Sequence, residues 1–82
     1  MRKRDAGRPL RDAMASKGLS IGGLVTATQA ADPTGYGVKK STIGHLVATG
    51  SSAREGCDER AAHLIAKALQ TPLGELFEAP SP

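Results

Sequence analysis

The segment GVKKSTIGHLVATG, residues 37–50, is the most informative part of this sequence for its architecture. Its apolar residues recur at the three- and four-residue spacing of an α-helix, and Gly50 provides a stop, so we predict a helix over residues 40–49. The side chains predicted to face inward are Val38, Ile43, Leu46 and Val47. The opposite face then carries Lys40, Ser41, Gly44 and His45, with Lys39 at the helix start.

The residues before this stretch predict two further helices and a loop. The first helix, over residues 9–17, is indicated by three apolar residues at helical spacing: Leu10, Ala13 and Met14. Gly18 suits a left-handed cap at its end, and Ser20 is a good N-cap for a second helix over residues 21–30. Residues 32–37, DPTGYG, are predicted to form a loop, because proline follows aspartate and two glycines come next.

The residues after the stretch predict two more helices. Asp58 is a suitable N-cap for a fourth helix over residues 59–69, which is the most amphipathic segment of the chain. Thr71 and Pro72 then start a short fifth helix, with three apolar side chains facing inward: Leu73, Leu76 and Phe77. No segment longer than five residues alternates between apolar and polar, so the pattern favours an all-α, compact five-helix bundle.

Composition supports one small helical domain. The chain has 82 residues, of which 39% are hydrophobic but only 2% aromatic, which favours packed helices over a β-sandwich or barrel. The predicted organisation is a flexible basic arm (residues 1–8), the helical domain (residues 9–77) and a short tail (residues 78–82). No apolar run approaches the roughly 18 residues of a membrane span, and no signal peptide is visible, so we expect a soluble intracellular protein.

The charge of the chain is unevenly distributed. Residues 1–20 carry six basic and two acidic side chains, whereas residues 58–82 carry two basic and four acidic ones. A basic front half suits a polyanionic partner, most simply nucleic acid. The alternative interpretation is a positive N-terminus that only aids solubility.

Three stretches together carry a family resemblance: LRDAMASKGLSIGGLVTAT (residues 10–28), GVKKSTIGHLVATG (residues 37–50) and CDERAAHLIAKALQTPLGELF (residues 57–77). They resemble, in order, the first two helices, the turn with its recognition helix, and the closing helix pair of the Cro/repressor-type (Xre family) helix-turn-helix domain. The resemblance covers about residues 9–77 and implies a lambda-repressor-like fold. It also implies a phage Cro-like transcriptional regulator that binds double-stranded DNA in the cytoplasm of a bacterial host and occludes a promoter or operator.

The resemblance assigns roles to individual side chains. It places base contacts at the start of the third helix and one turn into it, at Lys40, Ser41 and His45. Lysine can donate to guanine O6 or N7 in the major groove. Contacts with the DNA backbone are expected from six further residues: Lys39, Thr42, Arg54, Arg2, Lys3 and Arg4.

Two features depart from the family pattern. Val25 and Gly37 are twelve residues apart, about eight more than is usual in the family, so residues 30–37 enlarge the turn. Ile21 occupies the place where the family often has a glutamine that contacts the DNA backbone. The basic arm is expected to compensate by entering a groove, as arms do in other helix-turn-helix proteins.

The sequence also leads to expectations about binding partners and about alternative functions. The resemblance implies a homodimer, for which Leu73, Leu76 and Phe77 of the C-terminal helix are the expected self-association surface. The second hypothesis is a protein-interaction module, such as an antitoxin or a phage protein that binds a host factor through the enlarged loop. An enzyme is not expected, because the chain shows no nucleophile–base arrangement. No cofactor, metal or small-molecule substrate is predicted, since Cys57 is a lone cysteine and neither histidine has a ligand-spaced partner.

Overall fold

The computed structural model of the chain describes residues 1–48, 53 and 55–78. Its strands and helices, in chain order, are β1 (Arg2–Lys3), α1 (Arg8–Ser16), α2 (Ile21–Ala31), α3 (Lys40–Val47), α4 (Glu59–Leu69), α5 (Leu73–Leu76) and β2 (Phe77–Glu78). A tight turn, Arg4–Gly7, joins β1 to α1. The described part of the chain is mostly helical, as the composition predicts.

Side-chain caps set two of the helix starts where the sequence predicts them. The Ser20 hydroxyl accepts a hydrogen bond from the Gly23 amide at 3.0 Å, and the Asp58 carboxylate accepts one from the Ala61 amide at 2.7 Å. Each cap satisfies an amide that the first turn of a helix leaves without a backbone partner. The predicted bounds of α1, α2 and α4 are confirmed to within one residue at each end. Helix α3 starts at Lys40 as predicted but ends at Val47 rather than at residue 49, and Ala48 already has an extended backbone.

The end of α1 also follows its predicted chemistry. Gly18 has a φ of +66°, and the Leu19 amide donates to the Met14 carbonyl at 2.9 Å. This left-handed residue and its backward hydrogen bond are the features of a Schellman cap. The chain therefore reverses at Gly18 and enters α2 directly.

The helices share one apolar core. The most extensive helix–helix packing is between α2 and α4, while α3 packs on α2 and on α1. The buried hydrophobic side chains are Leu10, Met14, Leu24, Val38, Ile43, Leu46, Ala61, Ala62, Leu64, Ile65, Ala66, Leu69, Leu76 and Phe77. The radius of gyration is 11.4 Å, close to the ~12 Å expected of a compact domain of this length.

The structure corrects the prediction that residues 1–8 form a flexible arm. β1 pairs antiparallel with β2, with Arg2 opposite Glu78 and Lys3 opposite Phe77. On its other side, the Lys3 amide donates to the Glu55 carbonyl at 2.7 Å. The segment is packed because its backbone groups find partners on both sides. The strands were missed because two residues are too few to show an alternating pattern.

The expected self-association surface is also corrected. Leu76 and Phe77 are 1% and 0% exposed, because they close the core of their own chain beneath α5 and β2. Leu73 is only half-buried against the same core. A dimer stays a prediction, but Leu76 and Phe77 cannot form its contact surface. The predicted tail beyond Glu78 lies outside the described residues.

Within the ranges given above, no helix combines the length and the apolar character needed to cross a bilayer.

Candidate nucleic-acid interface

Helix α3 is anchored by one face and open on the other. Ile43 and Leu46 have no exposed surface and Val38 is 4% exposed, as the apolar spacing predicts. Val47, also predicted to face inward, is only half-buried against the core. Lys40 and Ser41, in the first turn of the helix, are exposed. The buried face therefore fixes the direction in which these two polar side chains project.

Two exposed lysines lie at the start of α3 and have no charged partner in the described part of the chain. Lys39 is exposed in an extended conformation just before the helix, and Lys40 is its first residue. Neither side chain makes a hydrogen bond or an ion pair with the described part of the chain. Both charges are added to the positive end of the helix dipole, where an anion is favoured.

The other residues predicted on this face differ in accessibility. Thr42 is half-buried at the edge of the helix. His45 is also half-buried and already takes part in an interaction within the protein, so it is less available than Lys40 or Ser41. A Cβ added to Gly44 would meet no atom within 4 Å, which shows that the surface next to His45 is open.

The enlarged loop before α3 is held by a buried carboxylate. Asp32 is 8% exposed, and its Oδ1 accepts from the Thr34 amide at 2.9 Å and from the Thr34 hydroxyl at 2.8 Å. Its Oδ2 accepts from the Gly37 amide at 2.9 Å and from the Arg60 guanidinium. The hydrogen bond from the Thr34 amide is the main influence on the carboxyl group. It outweighs desolvation, so the pKa of Asp32 falls from 3.8 to about 2.

The same loop is tied to α2 and α4. The Thr28 hydroxyl donates to the Val25 carbonyl at 2.7 Å and accepts from the Val38 amide at 3.0 Å. The Arg60 guanidinium also donates to the Gly37 carbonyl at 3.1 Å. Because these contacts end immediately before α3, the loop determines where the helix begins.

Gly37 lets the loop approach α2 closely. Its φ is +64°, and a Cβ built on it would lie 2.7 Å from the Gln29 amide nitrogen and 2.8 Å from the Thr28 hydroxyl oxygen. Any side chain would therefore displace the backbone leading into α3. The sequence predicts the loop from its glycines but not this packing on α2.

The other end of α3 is held by two basic side chains from the start of the protein. The Lys3 ammonium donates to the Leu46 carbonyl at 2.9 Å, and Arg11 donates to the Val47 carbonyl at 3.3 Å and to the Ala6 carbonyl at 2.9 Å. These carbonyls belong to the last turn of α3, which leaves acceptors without helical partners. Burial is the largest cause of a lowered Lys3 pKa, with the charge of Arg11 adding to it and that of Glu55 opposing it.

These contacts revise the predicted DNA-backbone residues of the N-terminal segment. Lys3 is 7% exposed and bound to α3, so it cannot reach a phosphate. Arg4 donates from Nε to the Gly74 carbonyl, and its Nη1 lies 3.8 Å from Glu78. Arg2 remains largely exposed, 3.9 Å from Glu55. Arg54 lies outside the described residues.

A pocket of about 730 Å³ opens beside the start of α3. It lies between the loop, the first turn of α3 and the first turn of α4, and its lining includes Thr34, Tyr36, Lys39, Thr42, Cys57 and Arg60. Burial raises the pKa of the Cys57 thiol, so this group is a neutral part of the wall at pH 7. In the portion of the chain that is described, no group of three or more His, Cys, Asp or Glu side chains could hold a metal ion.

No protein-family model, curated protein or solved structure matches this chain.

Proposed function

We propose that this protein is a sequence-specific double-stranded DNA-binding transcriptional regulator with a helix-turn-helix formed by α2, the 32–37 loop and α3. The observation that carries the proposal is the division of α3 into an apolar face, on which Ile43 and Leu46 are fully buried, and an exposed polar face. Lys39 and Lys40 stand on or beside the exposed face without a partner in the described part of the chain. An α-helix fits the major groove of B-DNA, where base edges show distinguishable patterns of donors and acceptors.

The proposed contacts follow from the accessibility of each side chain. Lys40 donates to guanine O6 or N7, and Ser41 contacts either kind of base edge. Lys39 and Thr42 bind phosphates beside the groove, together with the amides and the positive dipole end at the start of α3. His45 remains a proposed base contact, in addition to the interaction that it already makes within the protein.

The regulatory action proposed is occlusion of a promoter or operator in the bacterial cytoplasm. Proteins that insert a recognition helix commonly act as dimers on half-sites about 34 Å apart. The burial of Leu76 and Phe77 removes them from a dimer contact, so a dimer on DNA needs another surface.

Selection of bound duplexes from a random pool tests the function directly. The expected result is an enriched sequence, and a repeated half-site within it would show a dimer. Lys40→Ala should weaken the selected duplex about 10- to 100-fold and relax the preference at one base pair. Arg2→Ala should weaken selected and random duplexes to a similar extent, because a phosphate contact carries no sequence information.

Lys67→Ala is the matched control, since Lys67 is an exposed lysine on α4 outside the proposed interface. It should leave duplex affinity nearly unchanged. Equal losses on selected and random duplexes for Lys40→Ala and Arg2→Ala would contradict the proposed division between base and backbone contacts.

A second candidate function is a protein-interaction module, favoured by one observation. Tyr36 on the loop is 81% exposed. Among the described residues, it is the large hydrophobic side chain that faces solvent. A salt titration separates the two functions. If about five phosphates are neutralised, the log–log slope of duplex affinity against salt should be near −4.5. Absent or salt-insensitive duplex binding would favour the interaction module.

A further inference from the structure

The pocket beside α3 combines features that the proposed base contacts do not use. Its walls come from the loop, from Lys39 and Thr42 at the start of α3, and from the first turn of α4. Lys40, the proposed base-reading residue, follows Lys39 directly in the chain. A strand whose bases face α3 would therefore have its sugar–phosphate backbone close to this pocket.

The backbone on both sides of Tyr36 is held by hydrogen bonds to Asp32. The residues around it are fixed, since the Gly35 amide donates to the Asp32 carbonyl at 2.9 Å and the Gly37 amide donates to the Asp32 carboxylate at the same distance. Arg60 also holds this loop, because its guanidinium donates both to the Asp32 carboxylate and to the Gly37 carbonyl. A side chain held this way loses little backbone freedom on binding, which favours affinity.

The pocket offers donors suited to a phosphate group. The Tyr36 and Thr42 hydroxyls and the Lys39 ammonium make no hydrogen bond with the described part of the chain. Tyrosine, threonine and lysine are all residues that contact phosphate oxygens in protein–DNA complexes.

Among the other charged groups of the wall, Arg60 is in an ion pair, whereas the Asp58 carboxylate has no cationic partner in the described part of the chain. Arg60 is bound to Asp32, and the carboxylate of Asp58, which also lines the pocket, accepts from the Ala61 amide. The positive charge available to a ligand is therefore that of Lys39. A single cation with neighbouring hydroxyls fits one phosphodiester group better than a polyphosphate.

We propose that this pocket binds one phosphodiester group of the DNA strand beside the groove read by α3, with Tyr36 as a backbone-contacting residue. The Tyr36 hydroxyl and the Lys39 ammonium donate to the phosphate oxygens, while the tyrosine ring packs on the adjoining deoxyribose. The enlarged loop is thus part of the DNA-binding surface. This inference rests on the proposed function, because it requires α3 to lie in the major groove.

The test pairs a protein change with a DNA change. Duplexes with the selected sequence are made with one neutral methylphosphonate at each backbone position in turn, and affinities are measured for the wild type, Tyr36→Phe and Lys39→Ala. At one position, the wild type should lose about 10-fold in affinity. Tyr36→Phe and Lys39→Ala, already weakened on the natural duplex, should lose less than about threefold there, because the contact is already absent.

Two controls make the outcomes distinct. Lys67→Ala should respond to every methylphosphonate as the wild type does, and circular dichroism should show that Tyr36→Phe remains folded. Equal losses for the wild type and Tyr36→Phe at every position would overturn the Tyr36 contact while leaving the proposed function intact. Failure of the wild type to bind any duplex would overturn the proposed function itself.

Discussion

The two ends of α3 are held by opposite chemistry. At its C-terminal end, the cations Lys3 and Arg11 donate to carbonyls of the last turn. At its N-terminal end, the carboxylate of Asp32 and the hydroxyl of Thr28 accept from amides of the segment that leads into the helix. The C-terminal contacts complement the free carbonyls of the last turn and the negative end of the dipole. The N-terminal contacts instead hold the segment before the helix, whose N-cap residue, Lys39, makes no side-chain cap.

The basic residues near the two ends of α3 have different roles. Lys3 and Arg11 are used inside the protein to fix α3, whereas Lys39 and Lys40 at the other end are left outside. Both pairs contribute equally to the net charge of +3. Net charge therefore describes the surface of this protein only after the internal cations are removed from the count.

The largest expected effect is at the N-terminal end of α3. Gly37→Ala should lower the free energy of unfolding by about 2–5 kcal/mol, because a left-handed backbone is strained in alanine and the new Cβ would overlap α2. That is a large part of the roughly 4–12 kcal/mol expected for a domain of this size. Urea unfolding followed by circular dichroism measures it.

Gly35→Ala is the matched control in the same loop. Gly35 has a φ of +79°, but a Cβ there would meet no atom within 4 Å. Only backbone strain of about 1–2 kcal/mol is expected. If the two variants lost the same stability, close packing of the loop on α2 would not be what holds this end of the helix.

The second-largest effect on the free energy of unfolding is expected at the C-terminal end of α3. Lys3→Met keeps an apolar stem but leaves the Leu46 carbonyl without its donor, so we expect a loss of about 1–3 kcal/mol in the free energy of unfolding. Arg2→Met, which alters the exposed neighbour, should change it by less than about 0.5 kcal/mol. Urea unfolding compares the two. A larger loss for Arg2→Met would show that β1 is not held through Lys3.

A pH series tests whether the charged form of Asp32 stabilises the loop before α3. The folded-state pKa of Asp32 is about 2, below the ordinary 3.8, so its charged form stabilises the fold above pH 4. This contribution is lost as the pH falls from about 4 towards about 2. Thermal unfolding of the wild type and Asp32→Asn should therefore differ most near pH 6 and converge in acid. The other carboxyl groups titrate in both proteins, so a difference that stayed constant with pH would show that the ionisation of Asp32 is not its source.

The smallest effect on stability is expected from the exposed cations. Lys39→Ala and Lys40→Ala should each change the free energy of unfolding by less than about 0.5 kcal/mol, because neither side chain has a partner in the described part of the chain. Differential scanning calorimetry, run beside Lys3→Met, measures the contrast. A destabilisation as large as that of Lys3→Met would mean that these charges, too, are used within the fold.

Local sequence patterns were enough to predict the helices, three of their caps and the fully buried positions of α3. Ser20, Asp58 and Gly18 act on groups only a few residues away, so their roles can be read from local spacing. The inward positions Ile43 and Leu46 follow from helical periodicity alone, and both are fully buried. The exposure of Lys40 and Ser41 was predictable for the same reason.

Which charges remain available for a ligand depends on contacts between distant parts of the chain. Lys3 meets Leu46 across 43 residues of chain, Arg11 meets Val47 across 36, and Arg60 meets Asp32 across 28. No local pattern encodes such pairings, because they depend on how separate helices and two very short strands come together. A lysine that supports a helix and a lysine that faces solvent are the same residue in the sequence, and they differ only in the acceptors that folding brings within reach.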